Sequence, residues 1–453
     1  MERSIARNKP LKKGFTTGSC AAAASKAAAI MLFTGEEPGE VSIETPAGAV
    51  FTAKIYYVNL ENGREASCAV LKDGGDDPDI TTGLYIYSKV VVVEEEVEGE
   101  NGVMSTWNPE KRGRNFMSTS DRIGNDTRDT GVMSTDLDQP LENIENPEKS
   151  IMSTSSDSAD LSPAPHSAFK LPLIEIDGGE GVGRVTKPGL DRDVGEAAIN
   201  SVPRAMIEEA VRSEAIKAGF KGRIRVIISV PGGEKIAQKT FNPRLGIEGG
   251  ISILGTSGVE EPMSTHAVID TIEVEMRVHR AAGESIIAVT PGNYGQAYML
   301  KAYGYDLDRS VQCSNYIGDA IELADKLGFE AMLLTGHIGK LIKLAGGITN
   351  THSSNGDCRM ELLCAAALRA GCSVEACKRV LDCISTEEAL RNIEEEGLLD
   401  KTMELVLEGV MRTLALKAGE SLRTECIIYS NDFGALAQSD GAAALIKRIG
   451  GGD

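Results

Sequence analysis

Between residues 41 and 93 apolar side chains recur at nearly every second position. "VSIETP", "VFTAKIYYV", "SCAVLK" and "GLYIYSKVVVV" therefore read as strands, and "LPLIEID" and "RIRVIISV" continue the pattern beyond residue 170. Few helices interrupt them. The three predicted are Ala21–Phe33, with seven alanines in thirteen residues, Pro203–Gly219 and Thr265–Ala281. Such a mixture predicts an α+β domain over residues 1–284.

From Ser285 the rhythm changes. "SIIAVTPGNYGQAYML", "VQCSNYIGDAIELADKLG", "FEAMLLTGHIGKLIKLAGG" and "ECIIYSNDFGALAQS" each carry a small or apolar run into a turn containing Gly or Asn, in a pattern of strand, turn and helix. A helix-rich stretch from Arg359 to Ala418 precedes the last of them. This alternation predicts a C-terminal α/β domain over residues 285–453, with a mostly parallel sheet and its loops gathered at the strand carboxyl ends, where open sheets bind ligands. A chain of 453 residues exceeds what one core usually serves, which agrees with a division in two.

Charge separates out a third stretch. The chain carries a formal net charge of −20, and 16 acidic against 6 basic residues between Glu94 and Asp160 account for half of it. The same stretch repeats "VMSTW", "FMSTS", "VMSTD" and "IMSTS" with no sustained apolar period. Such a composition cannot bury enough surface to offset the entropy of ordering, so residues 98–167 are expected to be a disordered acidic insertion in the first domain. The acidic balance argues against a nucleic-acid partner. No apolar run is long enough for a membrane span, and no signal peptide is read at the basic N-terminus. Nine cysteines without paired spacing fit a cytoplasmic location.

Several clusters could carry chemistry. "GFTTGSCAAAASKAAAIML" opens its helix with Thr16, Thr17, Gly18 and Ser19, a capping run whose amides could meet an anion. "LKDGGDDPDITTG" packs Asp73, Asp76, Asp77 and Asp79 into seven residues, which suits a cation, ribose hydroxyls, acid–base work or a plain exposed turn. "IDGGEGVGRVTKPGL" follows a strand with Gly178, Gly179, Gly181 and Gly183, then Arg184 and Lys187. It lacks the Gly-Lys-Ser/Thr ending of a P-loop, and a simple glycine hairpin is equally consistent. "LLTGHIGKLIKLAGGITNTHSSNGDCRME" places His337 at a strand end, Lys340 and Lys343 on the helix that starts there, and His352 fifteen residues on. A zinc site is the sharp alternative. However, Cys358, Cys364, Cys372, Cys377 and Cys383 lack the paired spacing of zinc ligands and lie among Ala and Leu, so no protein-held metal is expected.

Read together and in order, "GFTTGSCAAAASKAA", "KDGGDDPDIT", "GGEGVGRVTKPGL", "GEAAINSVPRAMI", "ISVPGGEKIAQKTFNPRLGIEGGISILGTSGVEEPMS" and "CSNYIGDAIELA…TGHIGKLIKLAGGITNTHS" resemble the CbiD family. The resemblance spans the chain apart from the acidic insertion. A smaller departure is Ser201, where the family pattern leads one to expect proline after the asparagine.

The resemblance implies methylation of ring carbon C1 of cobalt-precorrin-5B, with S-adenosyl-L-methionine as donor, in the anaerobic route to cobalamin. Cobalt would be carried by the substrate, not by the protein. The substrate bears many carboxylates, so Arg184, Lys187, Arg204, Arg244, Lys340 and Lys343, with Arg359, become candidates to hold it, beside Thr16, Thr17, Gly18 and Ser19. Gly292, Gly295, Asn315, Gly318, Gly336 and Gly339 at the strand-end turns are the candidates for the donor. Asp76, Asp77 and His337 are the candidate catalytic residues. The electron-rich ring carbon is the nucleophile in such a reaction, so no cysteine is needed as one. A nucleotide-dependent kinase-like enzyme, a corrinoid carrier and a methyltransferase for another tetrapyrrole carbon remain as alternatives. Contact with neighbouring enzymes of the same pathway and homo-oligomerisation stay open.

Overall fold

Six strands form the first sheet in the spatial order Glu40–Glu44, Val50–Glu61, Glu65–Leu71, Tyr85–Val93, Arg223–Ser229, Leu173–Gly178. All neighbours are antiparallel except the last two, which run parallel and are joined through helix Ser201–Lys217. The computed structural model describes residues 11–93, 171–262, 264–292 and 296–450, so the predicted insertion at 98–167 lies outside the described residues. Alternation along each strand sends Val41, Ile43, Phe51, Ala53, Ile55, Cys68, Val70, Ile86, Val90, Ile224, Val226 and Ile228 into a common core.

Helix Thr17–Thr34 lies within that core, with fifteen of its eighteen residues buried. The alanines are what allow this. A helix covered by the sheet on one side and by helix Ser201–Lys217 on another has room for methyl groups and little more. It starts four residues before the predicted Ala21, because Thr16 caps it and accepts the Ser19 amide at 3.2 Å. The second helix likewise starts at Ser201 rather than Pro203. Asp191 Oδ2 accepts both the amide and the hydroxyl of Ser201, at 2.5 and 2.8 Å, a partner that proline could not engage.

The second sheet has the order Val311–Gln312, Ile286–Thr290, Ala331–His337, Arg423–Ser430, Gly434–Gln438. The first four strands are parallel and the last is antiparallel. Its three central strands are buried on both faces. Ile287, Val289, Met332, Leu334, Cys426 and Ile428 pack into the larger core with helices such as Ile317–Lys326, Ile338–Ala345 and Leu399–Lys417. Their neighbours Ile286, Ala288, Ala331, Leu333 and Ile427 pack on the other side with Met299, Leu307, Leu445 and Ile446. Covering both faces is what makes these strands read as continuous apolar runs.

The last predicted unit differs from expectation. "ECIIYSNDFGALAQS" forms a hairpin rather than a strand and helix: Gly434 takes a φ of +72° and the chain turns straight back onto Arg423–Ser430. The stretch 359–418 is helical as expected, in four pieces: Arg359–Ala370, Val374–Asp382, Thr386–Glu394 and Leu399–Lys417. Among the described residues no helix is long and apolar enough to cross a membrane.

Candidate functional site

The order of the second sheet creates a switch point. From strand Ile286–Thr290 the chain moves outward to Val311–Gln312, then returns to the opposite side as Ala331–His337. The two connections diverge at the carboxyl ends of these strands and leave a crevice, the usual ligand position in open α/β sheets. A cavity of about 430 Å³ opens there. Pro291 and Gly292 follow the first strand, His337 ends the third, Tyr429 and Asn431 end the fourth, and Ser385, Thr386 and Glu387 begin a helix from the 359–418 stretch.

His337 is fixed through Nδ1. It is the N-cap of helix Ile338–Ala345, and its Nδ1 accepts the Gly339 amide at 3.1 Å. Accepting at Nδ1 places the proton of a neutral ring on Nε2. Nε2 lies 2.9 Å from Glu387 Oε1, an ion-pair distance but off the line of a hydrogen bond, so this buried N–H has no hydrogen-bond acceptor among the described residues. Tyr429 meets the imidazole edge-on, with ring centroids 5.7 Å apart. Lys340, one turn along the helix, donates to the carbonyls of Pro291 at 2.9 Å and Ser314 at 3.2 Å, bracing the two loops that form the crevice. Burial, with help from the nearby Lys343 charge, pushes the Lys340 ammonium below the usual lysine range. Arg359 forks onto Asp357 through Nε at 2.6 Å and Nη2 at 3.0 Å. The cavity thus holds both signs of charge beside aromatic and aliphatic surface.

Comparison with known proteins bears on what this arrangement serves. A family model described as CbiD matches residues 4–109 and 155–262, and a second, described as CbiD, C-terminal domain, matches residues 350–440. A Ruminiclostridium cellulolyticum protein named cobalt-precorrin-5B C(1)-methyltransferase is 39% identical over 432 residues, which is 95% of this chain and 92% of that protein. The chain belongs to the CbiD family. Proteins of the same name from Thermoanaerobacter sp. (40% identical, 87% of this chain and 86% of that one) and Clostridioides difficile (33%, 97% and 97%) agree. A crystal structure described as cobalamin biosynthesis protein (cbiD) from Archaeoglobus fulgidus is 22% identical over 76% of this chain and 83% of that one. Its TM-score of 0.32 carries no argument.

In this CbiD chain, five of the residues singled out from sequence line the cavity: Gly292, His337, Gly339, Lys340 and Arg359. Gly295 lies outside the described residues. Asn315 and Gly318 stand at the neighbouring strand end. Asn315 Oδ1 accepts the Thr351 hydroxyl at 3.1 Å, and a Cβ on Gly318 would come within 2.7 Å of Thr349 Oγ1. Gly336 sits beneath the cavity floor, where a Cβ would meet Leu341 at 2.9 Å. Lys343 is buried and donates to the Thr351 carbonyl at 3.1 Å. His352 caps its own short turn through Ser354.

The residues of the first half gather elsewhere. Asp76 Oδ2 accepts the Lys12 amide at 2.7 Å, and Asp77 follows it in the same turn; neither lines the cavity. Thr16, Thr17, Gly18 and Ser19 are stitched to the 254–258 segment. Thr17 Oγ1 accepts the Leu254 amide at 2.9 Å, the Gly18 amide donates to the Leu254 carbonyl at 2.9 Å, and Ser19 Oγ donates to the Gly258 carbonyl at 2.7 Å. The Gly18 and Ser19 amides already have protein acceptors. The glycines of "GGEGVG" serve close chain crossings, since a Cβ on Gly181 would overlap the Val230 carbonyl. Arg184 pairs with Asp177 at 2.8 Å, Lys187 donates to the Arg244 carbonyl at 3.1 Å, and Arg204 donates to the carbonyls of Ile199 and Ile176 at 2.9 and 2.8 Å. Arg244 reaches Glu275 at 2.8 Å and the carbonyls of Asp308 and Ser310 at 2.8 and 3.0 Å, joining the two sheets' surroundings.

The sequence reading did not single out Glu387, Tyr429 or Asn431. Glu387 sits about fifty positions from His337 in a charged helix start, "STEEAL", where nothing distinguishes it from its neighbour Glu388. Neither Cys20 nor Cys313 is poised as a nucleophile: burial pushes both thiols up to about 12.

Proposed function

We propose that this chain is a cobalt-precorrin-5B C(1)-methyltransferase that takes its methyl group from S-adenosylmethionine. The observation that carries the activity is the match, over nearly the whole length of both chains, to relatives bearing that name. The cavity at the switch point supports the choice of donor. Its volume of about 430 Å³ falls within the range of roughly 300–1,000 Å³ typical of small-molecule sites. A donor with an ammonium, a carboxylate, a ribose and an adenine needs charges of both signs and apolar surface, which Glu387, Arg359, Tyr429 and Ile384 offer together. A macrocycle with its full set of acids is too large for this space and would extend beyond it. We assign the donor to residues 285–453, and the outer part of the corrinoid to residues 1–284, where Arg184 and Lys187 remain exposed.

Bound in the cavity, S-adenosylmethionine supplies an electrophilic methyl group, and the electron pair comes from the ring carbon of the substrate. The protein's part is then to bind, orient and exclude water, and positioning of this kind supplies up to about 7–11 kcal/mol in favourable cases. Lys340 holds the 291–292 and 314 loops at a fixed separation. His337 fixes the start of its helix and, with Tyr429, forms one wall. None of these groups has to take a proton.

The test is incubation of the purified chain with cobalt-precorrin-5B and donor carrying a 13C methyl group. The expected product bears the label on C1, with one S-adenosylhomocysteine formed per methyl. Label on another carbon would assign the enzyme to a different ring position, and absence of labelled corrinoid would remove the reading.

A further inference from the structure

Among the described residues, the cavity lining carries one carboxylate, Glu387, with no charged group in a fitted hydrogen bond to it. Among the described residues Glu387 Oε2 accepts the hydroxyl of the adjacent Thr386, at 3.0 Å, while Oε1 stands 2.9 Å from His337 Nε2 without a hydrogen-bond line between them. The Nδ1 contact to Gly339 keeps the imidazole from turning. His337 therefore presents a fixed Nε2–H edge that keeps one carboxylate oxygen beside it and leaves the rest of the group facing the cavity. Both side chains keep partial access, 20% for His337 and 24% for Glu387. Arg359 lines the same cavity, and the Glu387 charge is near enough to help raise its already high pKa, after the main effect of Asp357. A carboxylate and a guanidinium that share a cavity while each has another first partner form a pair of opposite poles.

We infer that Glu387, positioned by His337, receives the α-ammonium of the methyl donor, and that Arg359 receives its α-carboxylate. The inference rests on the donor reading of the cavity and deepens it. An α-amino acid is a zwitterion with its charges one carbon apart, and two fixed poles of opposite sign select it over a neutral nucleoside. His337 is then a positioning residue that acts through Glu387.

Calorimetry with two ligands tests this. S-adenosylhomocysteine carries the amino-acid end, and 5′-methylthioadenosine shares its nucleoside and thioether but lacks that end. Glu387→Gln removes the charge with almost no change in shape. It should weaken S-adenosylhomocysteine about 10- to 100-fold, the scale of a lost charged hydrogen bond, and leave methylthioadenosine within about twofold. Arg359→Gln should show the same selectivity. His337→Asn retains a capping acceptor for the Gly339 amide, so its thermal melt should match that of the parent while it too loses affinity for the amino-acid ligand alone. Equal loss of both ligands in Glu387→Gln would place the carboxylate on the nucleoside, and unchanged affinity for both would remove it from the site. Either result overturns the inference while leaving the donor reading intact. A parent chain that binds neither ligand would overturn the donor reading itself.

Discussion

Lys72 shows how a single side chain can matter without touching the cavity. Its ammonium is buried, pairs with Asp79, and lies 2.6 Å from Glu260. Burial works against the charge on Lys72, yet the two carboxylates hold its pKa above the usual lysine value. Asp79 is raised by burial but more strongly lowered by Lys72 and Thr81, whereas burial dominates at Glu260 and raises it. The Asp79 share of the pairing is therefore present above the ordinary Asp value of 3.8 and is lost as pH falls through its lower folded value. The Lys72 share persists below the ordinary 10.5 and is lost as pH rises through its higher folded value. Lys72→Met leaves two partly buried carboxylates facing each other and should cost about 3–5 kcal/mol at pH 7. Without the cation both acids rise in pKa, so the deficit should shrink between pH 7 and pH 5. Urea midpoints at the two pH values check this; a deficit that grows on acidification contradicts the pairing described. Sequence reading noticed the aspartates and not the lysine, because "SCAVLK" reads as a strand ending in an ordinary surface charge. His337 was singled out because the chain has only five histidines and this one stands at a strand end, and it lines the cavity. Glu387 was not, since only tertiary packing distinguishes it from Glu388.

At the level of elements, periodicity located the long strands of both sheets and most of the long helices but not helix Ala442–Gly450 or the short pieces at 233–237 and 242–245, and several boundary errors have local causes. Capping by Thr16 and the Asp191–Ser201 contact lengthened two helices at their starts, because hydroxyl residues read as loop until their partners are known. The turn at Gly434 made a hairpin where a helix was expected. The alanine helix was legible as a helix suited to close packing on a sheet, but its second cover, helix Ser201–Lys217, was not. Ala24 is completely buried, and its carbonyl accepts the Cys68 thiol at 3.2 Å. Ala24→Leu adds three carbons where there is no space and should destabilise the chain by about 1–3 kcal/mol, read as a lower urea midpoint. A midpoint equal to that of the parent would show that the helix can move away from the sheet and that close packing does not explain its composition.

At the scale of the whole molecule, the two sheets are built differently. The antiparallel sheet with its buried alanine helix supplies chain crossings so close that glycine and small hydroxyl residues are required, which is why its motifs look like ligand loops in sequence. The parallel sheet has a reversal of strand order, and the cavity lies at that reversal. Fold class and family were legible because long runs of residues carry them. The grouping of His337, Glu387, Arg359 and Tyr429 was not, because four separate segments meet there. The central claim is that the methyl donor binds at this reversal, and a crystal structure of the chain with S-adenosylhomocysteine tests it most directly. The account predicts density for the ligand between the 291–292 loop, His337 and Glu387, with its amino-acid end toward Glu387 and Arg359. Density instead at the "TTGS" helix start, the 73–79 turn or the "GGEGVG" crossing would contradict it.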